Sequence, residues 1–268
     1  MFRITIMTAF ISFAGAGALK ADYLGSVVNS WNGKYEGKQA PFSVAYGDGY
    51  LWLCHETFIT KRLRSNGSVV GLIRFSGWCA DDMAFDENKK YLYCACWDEG
   101  VYVRDSRTGS NVASFGVPVG ARFLTGIGFD ISKPAKPLWL GDEVAWRLWN
   151  TTSNGSVIRS IKTSFSNVSG IAYDGDTAGG PYLFVGTKNK PPTIYAFRPA
   201  SGLVVYSFRA PAPIYAEDLG GLAWDGQYLW TVNDHTGSRD LGMVYQFVGH
   251  SDFSVTPASF GEVKSLFR

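Results

Sequence analysis

General acid–base chemistry can be run by two carboxylates, or by a carboxylate beside a histidine, and this sequence offers both combinations at several places. His55-Glu56, Trp97-Asp98-Glu99, Asp142-Glu143 and Asn233-Asp234-His235 each join such groups within three residues. Asp81-Asp82 and Glu217-Asp218 are further carboxylate pairs, while Arg122 and Lys188-Asn189-Lys190 supply cations and Asn167 an amide. The set suits a hydrolase or lyase, for example a carbohydrate-active one in which two carboxylates work at a defined separation. It equally suits a binding face, with Trp97 and Arg122 as contacts and the acids attracting a sugar or a cation such as calcium. A third reading is that these are ordinary wet loops. No catalytic residue stands out, because the chain has no Gly-rich phosphate loop, nucleophile elbow or zinc-protease helix. No metal set or cofactor motif is evident either. Cys94-Ala95-Cys96 is the one clustered cysteine pair, and its spacing is wrong for a zinc knuckle.

A repeat explains how such scattered residues could meet. Ser43-Val44-Ala45-Tyr46-Gly47, Asp82-Met83-Ala84-Phe85-Asp86 and Gly126-Ile127-Gly128-Phe129-Asp130 share one pattern with Gly170-Ile171-Ala172-Tyr173-Asp174 and Gly221-Leu222-Ala223-Trp224-Asp225. The columns read apolar, tiny, aromatic, Asp. Each copy precedes a second strand such as Tyr50-Leu51-Trp52-Leu53 or Tyr228-Leu229-Trp230-Thr231, and a third such as Thr193-Ile194-Tyr195-Ala196. A fourth begins at glycine, as in Gly67-Ser68-Val69-Val70 and Gly202-Leu203-Val204-Val205. Four strands recurring roughly every 44 residues are the mark of a propeller.

The fourth strand is missing from the last repeat, and its match, Gly25-Ser26-Val27-Val28-Asn29-Ser30-Trp31, lies at the other end of the chain. The sequence therefore predicts an all-β, five-bladed β-propeller of four-stranded antiparallel blades, closed by the strand at 25–31. Blades are expected near 40–78, 79–122, 123–166, 167–218 and 219–249, followed by a tail over 250–268. The tiny residues belong in the innermost strands, the aromatics between blades, and each Asp (Gly47 in the first blade) at the turn into the second strand. Loops joining second to third strands share one face with the loops between blades, so the polar clusters converge there.

The first residues stand apart. Met1-Phe2-Arg3 is basic and Ile4 to Ala18 is apolar or small, the layout of a signal peptide over 1–21 with a mature chain from Asp22. That segment is short for a membrane span of ~20 residues. The expectation is a secreted or periplasmic monomer, without stable membrane insertion after cleavage, whose partner is an extracellular ligand, glycan or protein. A net charge of +2 with no basic block gives no reason to expect nucleic acid. Export permits disulfides among Cys54, Cys79, Cys94 and Cys96. Cys94 and Cys96 lie on one side of a strand and are poorly placed to bond each other, which leaves two connectivities. Cys79–Cys96 with Cys54–Cys94 is the favoured one, and free buried thiols are the alternative. Asn66, Asn150, Asn154 and Asn167 begin glycosylation sequons, which matter only in a eukaryotic source.

Gly-Ile-Ala-Tyr-Asp-Gly at 170–175 and Gly-Leu-Ala-Trp-Asp-Gly-Gln-Tyr-Leu-Trp at 221–230 resemble bacterial secreted propellers of the NHL-like and glutamine-cyclotransferase-like kind. The resemblance covers about 23–249 and lies in scaffold positions, so it implies the fold. The acidic active-site motifs of the cyclotransferases have no counterpart here, and their activity is not implied. The last residues, from Thr256-Pro257-Ala258-Ser259-Phe260-Gly261-Glu262 to Arg268, resemble short endings of some bacterial secreted repeat proteins.

Overall fold

The computed structural model describes residues 24–37, 39–75, 81–130, 135, 137–177, 179–210, 219–233 and 242–250. The expected signal peptide and all of the expected tail except His250 lie outside them. Twenty strands form five four-stranded antiparallel sheets, and no helix occurs among the described residues. The first blade is β2 (Ser43–Gly47), β3 (Tyr50–Cys54), β4 (Phe58–Arg62) and β5 (Val69–Arg74). The second is β6 (Asp82–Asp86), β7 (Tyr91–Cys96), β8 (Gly100–Asp105) and β9 (Asn111–Phe115). The third runs through β10 (Leu124–Phe129), β11 (Leu138–Asp142), β12 (Arg147–Thr151) and β13 (Val157–Lys162). β14 (Val168–Asp174), β15 (Tyr182–Thr187), β16 (Thr193–Arg198) and β17 (Leu203–Arg209) make the fourth. The fifth combines β18 (Leu219–Trp224), β19 (Leu229–Asn233) and β20 (Met243–Phe247) with β1 (Val27–Asn32) in the order β1-β20-β19-β18. The displaced N-terminal strand thus completes the last blade, with Trp31 opposite Val244 and Ser30 opposite Tyr245. The innermost strands β2, β6, β10, β14 and β18 touch one another in sequence round a closed ring.

Two bands of contacts hold neighbouring blades together. On the inner side, the aromatic of each innermost strand packs on the second strand of the blade before it. Phe85 stacks on Trp52 with centroids 5.5 Å apart, Phe129 meets Tyr93 edge-on at 4.7 Å, and Trp224 meets Phe184 at 5.9 Å. Tyr173 shares a cluster with Trp139, and Tyr46 with Trp230, which carries the pattern across the closure. Each such pair contributes about 1 kcal/mol beyond its buried area.

On the outer side the repeated glycine is a socket. Gly67, Gly109, Gly155, Gly202 and Gly25 all have positive φ. A Cβ on each would strike an apolar side chain of the preceding blade's outer strand. The intruders are Trp31 at 2.3 Å, Ile73 at 2.3 Å, Phe115 at 2.3 Å, Ile161 at 2.7 Å and Phe208 at 3.0 Å respectively. The hairpin conformation and the close approach both require glycine there. Gly25 closes the outer ring as its counterparts do, and its N–H also donates to Val248 O at 2.8 Å.

The repeated Asp residues cap turns as expected. One oxygen of Asp86 accepts from Asn88 N, that of Asp174 from Asp176 N and Thr177 N, and that of Asp225 from Gln227 N and Tyr228 N. The second oxygen of Asp225 accepts from the Trp230 indole at 2.8 Å. Gly47 departs from the pattern because a side chain there would run into the Phe85 ring, 2.0 Å from its Cβ. The Trp52 indole donates to the Gly47 carbonyl instead.

The expected disulfide pairing is corrected. Cys94 and Cys96 are free and buried, so neither Cys79–Cys96 nor Cys54–Cys94 forms. Alternate residues of β7 face one way, and both thiols turn into the wedge between the first two blades, among Trp52, Ile59, Met83 and Phe85. Burial there pushes the Cys94 thiol up to about 12 and that of Cys96 also upward. Cys79 lies outside the described residues.

Candidate functional site

Innermost strands start, and second strands end, at one face of the ring, where His55, Glu56, Asp81, Asp82, Trp97, Asp98, Glu99, Arg122, Asp142 and Glu143 lie among the described residues. Packing then separates them into two kinds. His55 follows β3 and is fully buried, stacked on Phe58 at 4.5 Å. Its Nδ1 lies 3.2 Å from Gln39 O, an acceptor only, so Nδ1 carries the proton and Nε2 accepts from the Thr60 hydroxyl at 3.2 Å. Arg62 Nε donates to the same hydroxyl oxygen, which leaves the Thr60 proton for His55. Burial, with the Arg62 charge behind it, lowers the His55 pKa to about 4. The side chain is a neutral strut in the core and reaches no ligand.

Asp142 is likewise occupied. Its carboxylate is buried and accepts from Arg122 N at 2.5 Å, Phe123 N at 2.6 Å and both Val144 N and Ala145 N at 2.7 Å. Four backbone donors on one carboxylate fix the approach to β10 and the β11–β12 turn.

Asp82, the first residue of β6, crosses the axis. Its Oδ2 accepts from Ile127 N and Ile171 N, each at 2.9 Å, so one carboxyl of the second blade ties down the innermost strands of the third and fourth. Burial raises its pKa well above the ordinary carboxylate range, against the N–H dipoles of Ile127, Ile171, Met83 and Leu222. The positions that match Asp82 in the repeat are Ser43, Gly126, Gly170 and Gly221, and a Cβ on Gly221 would lie 2.2 Å from Asp82 Oδ1. Four small residues make room for the fifth. That column holds the signal in sequence: one long side chain where all the others are tiny.

Glu56, Trp97, Asp98, Glu99 and Arg122 remain exposed, with Asp81 and Glu143 half-buried. Trp97 is the organised one. Asp81 Oδ2 accepts from its N–H at 3.1 Å, its carbonyl accepts from Leu124 N at 2.8 Å, and its φ is 29°. The indole lies 4.5 Å from the Phe123 ring, and the Arg122 guanidinium sits 5.5 Å over that same ring. Glu99 accepts from Tyr102 OH at 2.8 Å beside them. Sequence reasoning missed Phe123, whose only signal is an aromatic in a loop. The Glu143 backbone bridges blades, from its N–H to Phe123 O and from its carbonyl to Asn167 N, while its Oε2 is buried with no hydrogen-bond partner. Asn167 in turn donates to Asn189. Glu217, Asp218, Asp234 and His235 lie outside the described residues. Among the described residues no cluster of three His, Cys, Asp or Glu side chains is arranged to hold a metal ion.

A carboxylate–histidine–hydroxyl group exists at the opposite face, and the sequence did not announce it. His250 Nε2 lies 2.6 Å from Asp174 Oδ2, and Nδ1 lies 2.9 Å from Tyr206 OH. The Tyr206 hydroxyl also lies 3.0 Å from Gly249 O. The Asp174–His250 pair is enclosed by Tyr182, Phe184 and Trp224, with side-chain exposures of 9% and 0% for His250 and Asp174. The pair fastens the end of the fifth blade to the fourth. It is too enclosed to act on a substrate.

No protein-family model matches the chain, and no curated protein matches it in sequence. Solved structures do resemble it. A glutaminyl cyclase from Myxococcus xanthus has a TM-score of 0.63 at 10% identity, covering 82% of this chain and 94% of that one. A hydrazine synthase from Kuenenia stuttgartiensis has a TM-score of 0.49 at 16% identity, over 72% of this chain and 55% of that one. The first likeness shows the propeller fold. It goes no further than that.

Proposed function

We propose that this propeller is an exported binding module that holds an extracellular ligand, glycan or protein on its loop face, with Trp97 and Arg122 as the principal contacts. One observation carries the reading. Trp97 is 40% exposed yet fixed in place, by Asp81 at its N–H, Leu124 at its carbonyl and Phe123 beneath its ring. A pre-positioned indole beside a guanidinium, rimmed by Asp98 and Glu99, has the composition of a binding hot spot. Of the rim's ionisable groups, Asp82, Asp142 and His55 are engaged within the scaffold, while Glu56, Asp98 and Glu99 stay exposed beside Trp97 and Arg122.

The test is binding of the chain from Asp22 to a glycan array and to immobilised extracellular proteins, beside Trp97→Ala and Arg122→Ala. Each substitution is expected to weaken binding about tenfold or more without lowering the melting temperature. Retention by both variants at wild-type strength overturns the reading.

Export also bears on the cysteines. With Cys94 and Cys96 free, the remaining pair is Cys54 and Cys79, and we propose that these two bond. Thiol titration of non-reduced protein should then find no reactive thiol in the folded state and two after unfolding; four would exclude the bond.

A further inference from the structure

The axis has a second end. Asp82 closes the channel at the loop face, so what remains is a blind well opening on the turn face, where innermost strands pass into second strands. Its volume is about 230 Å³. Met83, Ile171 and Leu222 lie at its depth, and Tyr46, Phe85, Phe129, Tyr173 and Trp224, the aromatic column of the repeat, surround its mouth. The walls are mixed, with the aromatic column and Met83, Ile171 and Leu222 giving an apolar majority that an apolar body can cover.

Charge then decides what kind of body. No lysine, arginine or histidine lines the well, whereas Glu87, Asp176 and Asp225 do. Two of these carboxylates are already matched. Glu87 lies 3.1 Å from Lys90 Nζ and accepts from Asp48 N, and Asp225 lies 2.9 Å from Arg64 and accepts from the Trp230 indole. Asp176 is exposed at the lip and has no counter-charge among the described residues. Its N–H donates to Asp174, which fixes the backbone at the lip.

We infer that the well is a binding site for a small arylalkyl ammonium: a flat apolar ring enters the aromatic mouth and the cationic nitrogen meets Asp176. A carboxylate of the same shape would face Asp176 while Lys90 and Arg64 are already engaged by Glu87 and Asp225, and is disfavoured. The site is separate from Trp97 and Arg122, at the other end of the axis, and stands or falls independently of them.

Phenethylammonium and phenylacetate, close in size and opposite in charge, are the probes, read by isothermal titration and saturation-transfer NMR on the whole folded chain. Phenethylammonium is expected to bind with a Kd on the order of 0.1–1 mM, and phenylacetate at least tenfold more weakly. Asp176→Lys, a change at an exposed side chain, should weaken phenethylammonium tenfold or more with melting unchanged. Trp97→Ala should bind it like the wild type. The inference is overturned by absence of phenethylammonium binding, by equal binding of the two probes, by an unaffected Asp176→Lys protein, or by loss of binding in Trp97→Ala.

Discussion

At the turn end of the ring each blade caps its own turn, while at the loop end one residue serves several blades. Asp86, Asp174 and Asp225 each cap the turn of their own blade, and losing one leaves its counterparts untouched. Asp82 has no counterpart, and it bonds the backbones of two other blades across the axis. A local problem repeated five times has a repeated solution. The axis is a single shared problem, and the chain meets it by breaking its own repeat once.

That contrast can be broken by substitution, and the sharpest case is Asp82→Ala. It leaves the N–H groups of Ile127 and Ile171 buried without an acceptor, and a loss of about 3–5 kcal/mol is expected in denaturant unfolding. Asp86→Ala, at an equivalent turn of a single blade, should cost only about 1 kcal/mol. Equal losses would end the distinction. The acid dependence should differ too. The Asp82 pKa is raised by burial, so its contribution to stability is complete below the unfolded value and fades as pH rises through the folded one. Asp82→Asn should remove that slope.

The outer ring gives the next largest effect. Gly155→Ala combines a φ of 88° with a Cβ 2.3 Å from Phe115, and about 2–4 kcal/mol should be lost. Gly49→Ala is the control: φ is 78°, but the Cβ would meet nothing within 4 Å. There only the backbone term remains, about 1 kcal/mol. At the clasp between the fourth and fifth blades, His250→Ala should cost about 2 kcal/mol near neutral pH. The Asp174 pKa is lowered by His250 and the turn donors, although burial opposes them. Its contribution is therefore present above the unfolded carboxylate value and is lost as pH falls through the folded one, which an acid titration of wild type against His250→Ala would show. Smallest of all is Trp97→Ala, within about 0.5 kcal/mol of the wild type because the ring is a surface group.

Much of this architecture is legible in the sequence because repetition averages out ambiguity. Five aligned copies identify the tiny, aromatic and Asp columns, and a fourth strand displaced to residues 25–31 gives the closure. The rim is less legible because residue type does not reveal what a side chain faces. His55 and Asp142 have the chemistry of a site, yet Thr60, Gln39 and four backbone N–H groups occupy them. Asp82 reads as one of the surface acids, although its column argues for the axis. His250 escapes notice because its partners, Asp174 and Tyr206, are far away in sequence and meet it only when the fifth blade packs on the fourth. The glycine that opens each outer strand reads in sequence as a turn residue, and its role as a socket depends on a neighbouring blade.

Closure through β1 also sets an order of events. Val27 finds Phe247, and Gly25 receives Phe208, only once nearly the whole chain exists. The first of the described strands therefore pairs with the last of them, and the loop-closure entropy of the entire ring is met in that one step. Until then β20 presents an unpaired edge. The pairing of β1 with β20 thus joins strands with all the other described strands between them in sequence, a contact of the highest order in the fold.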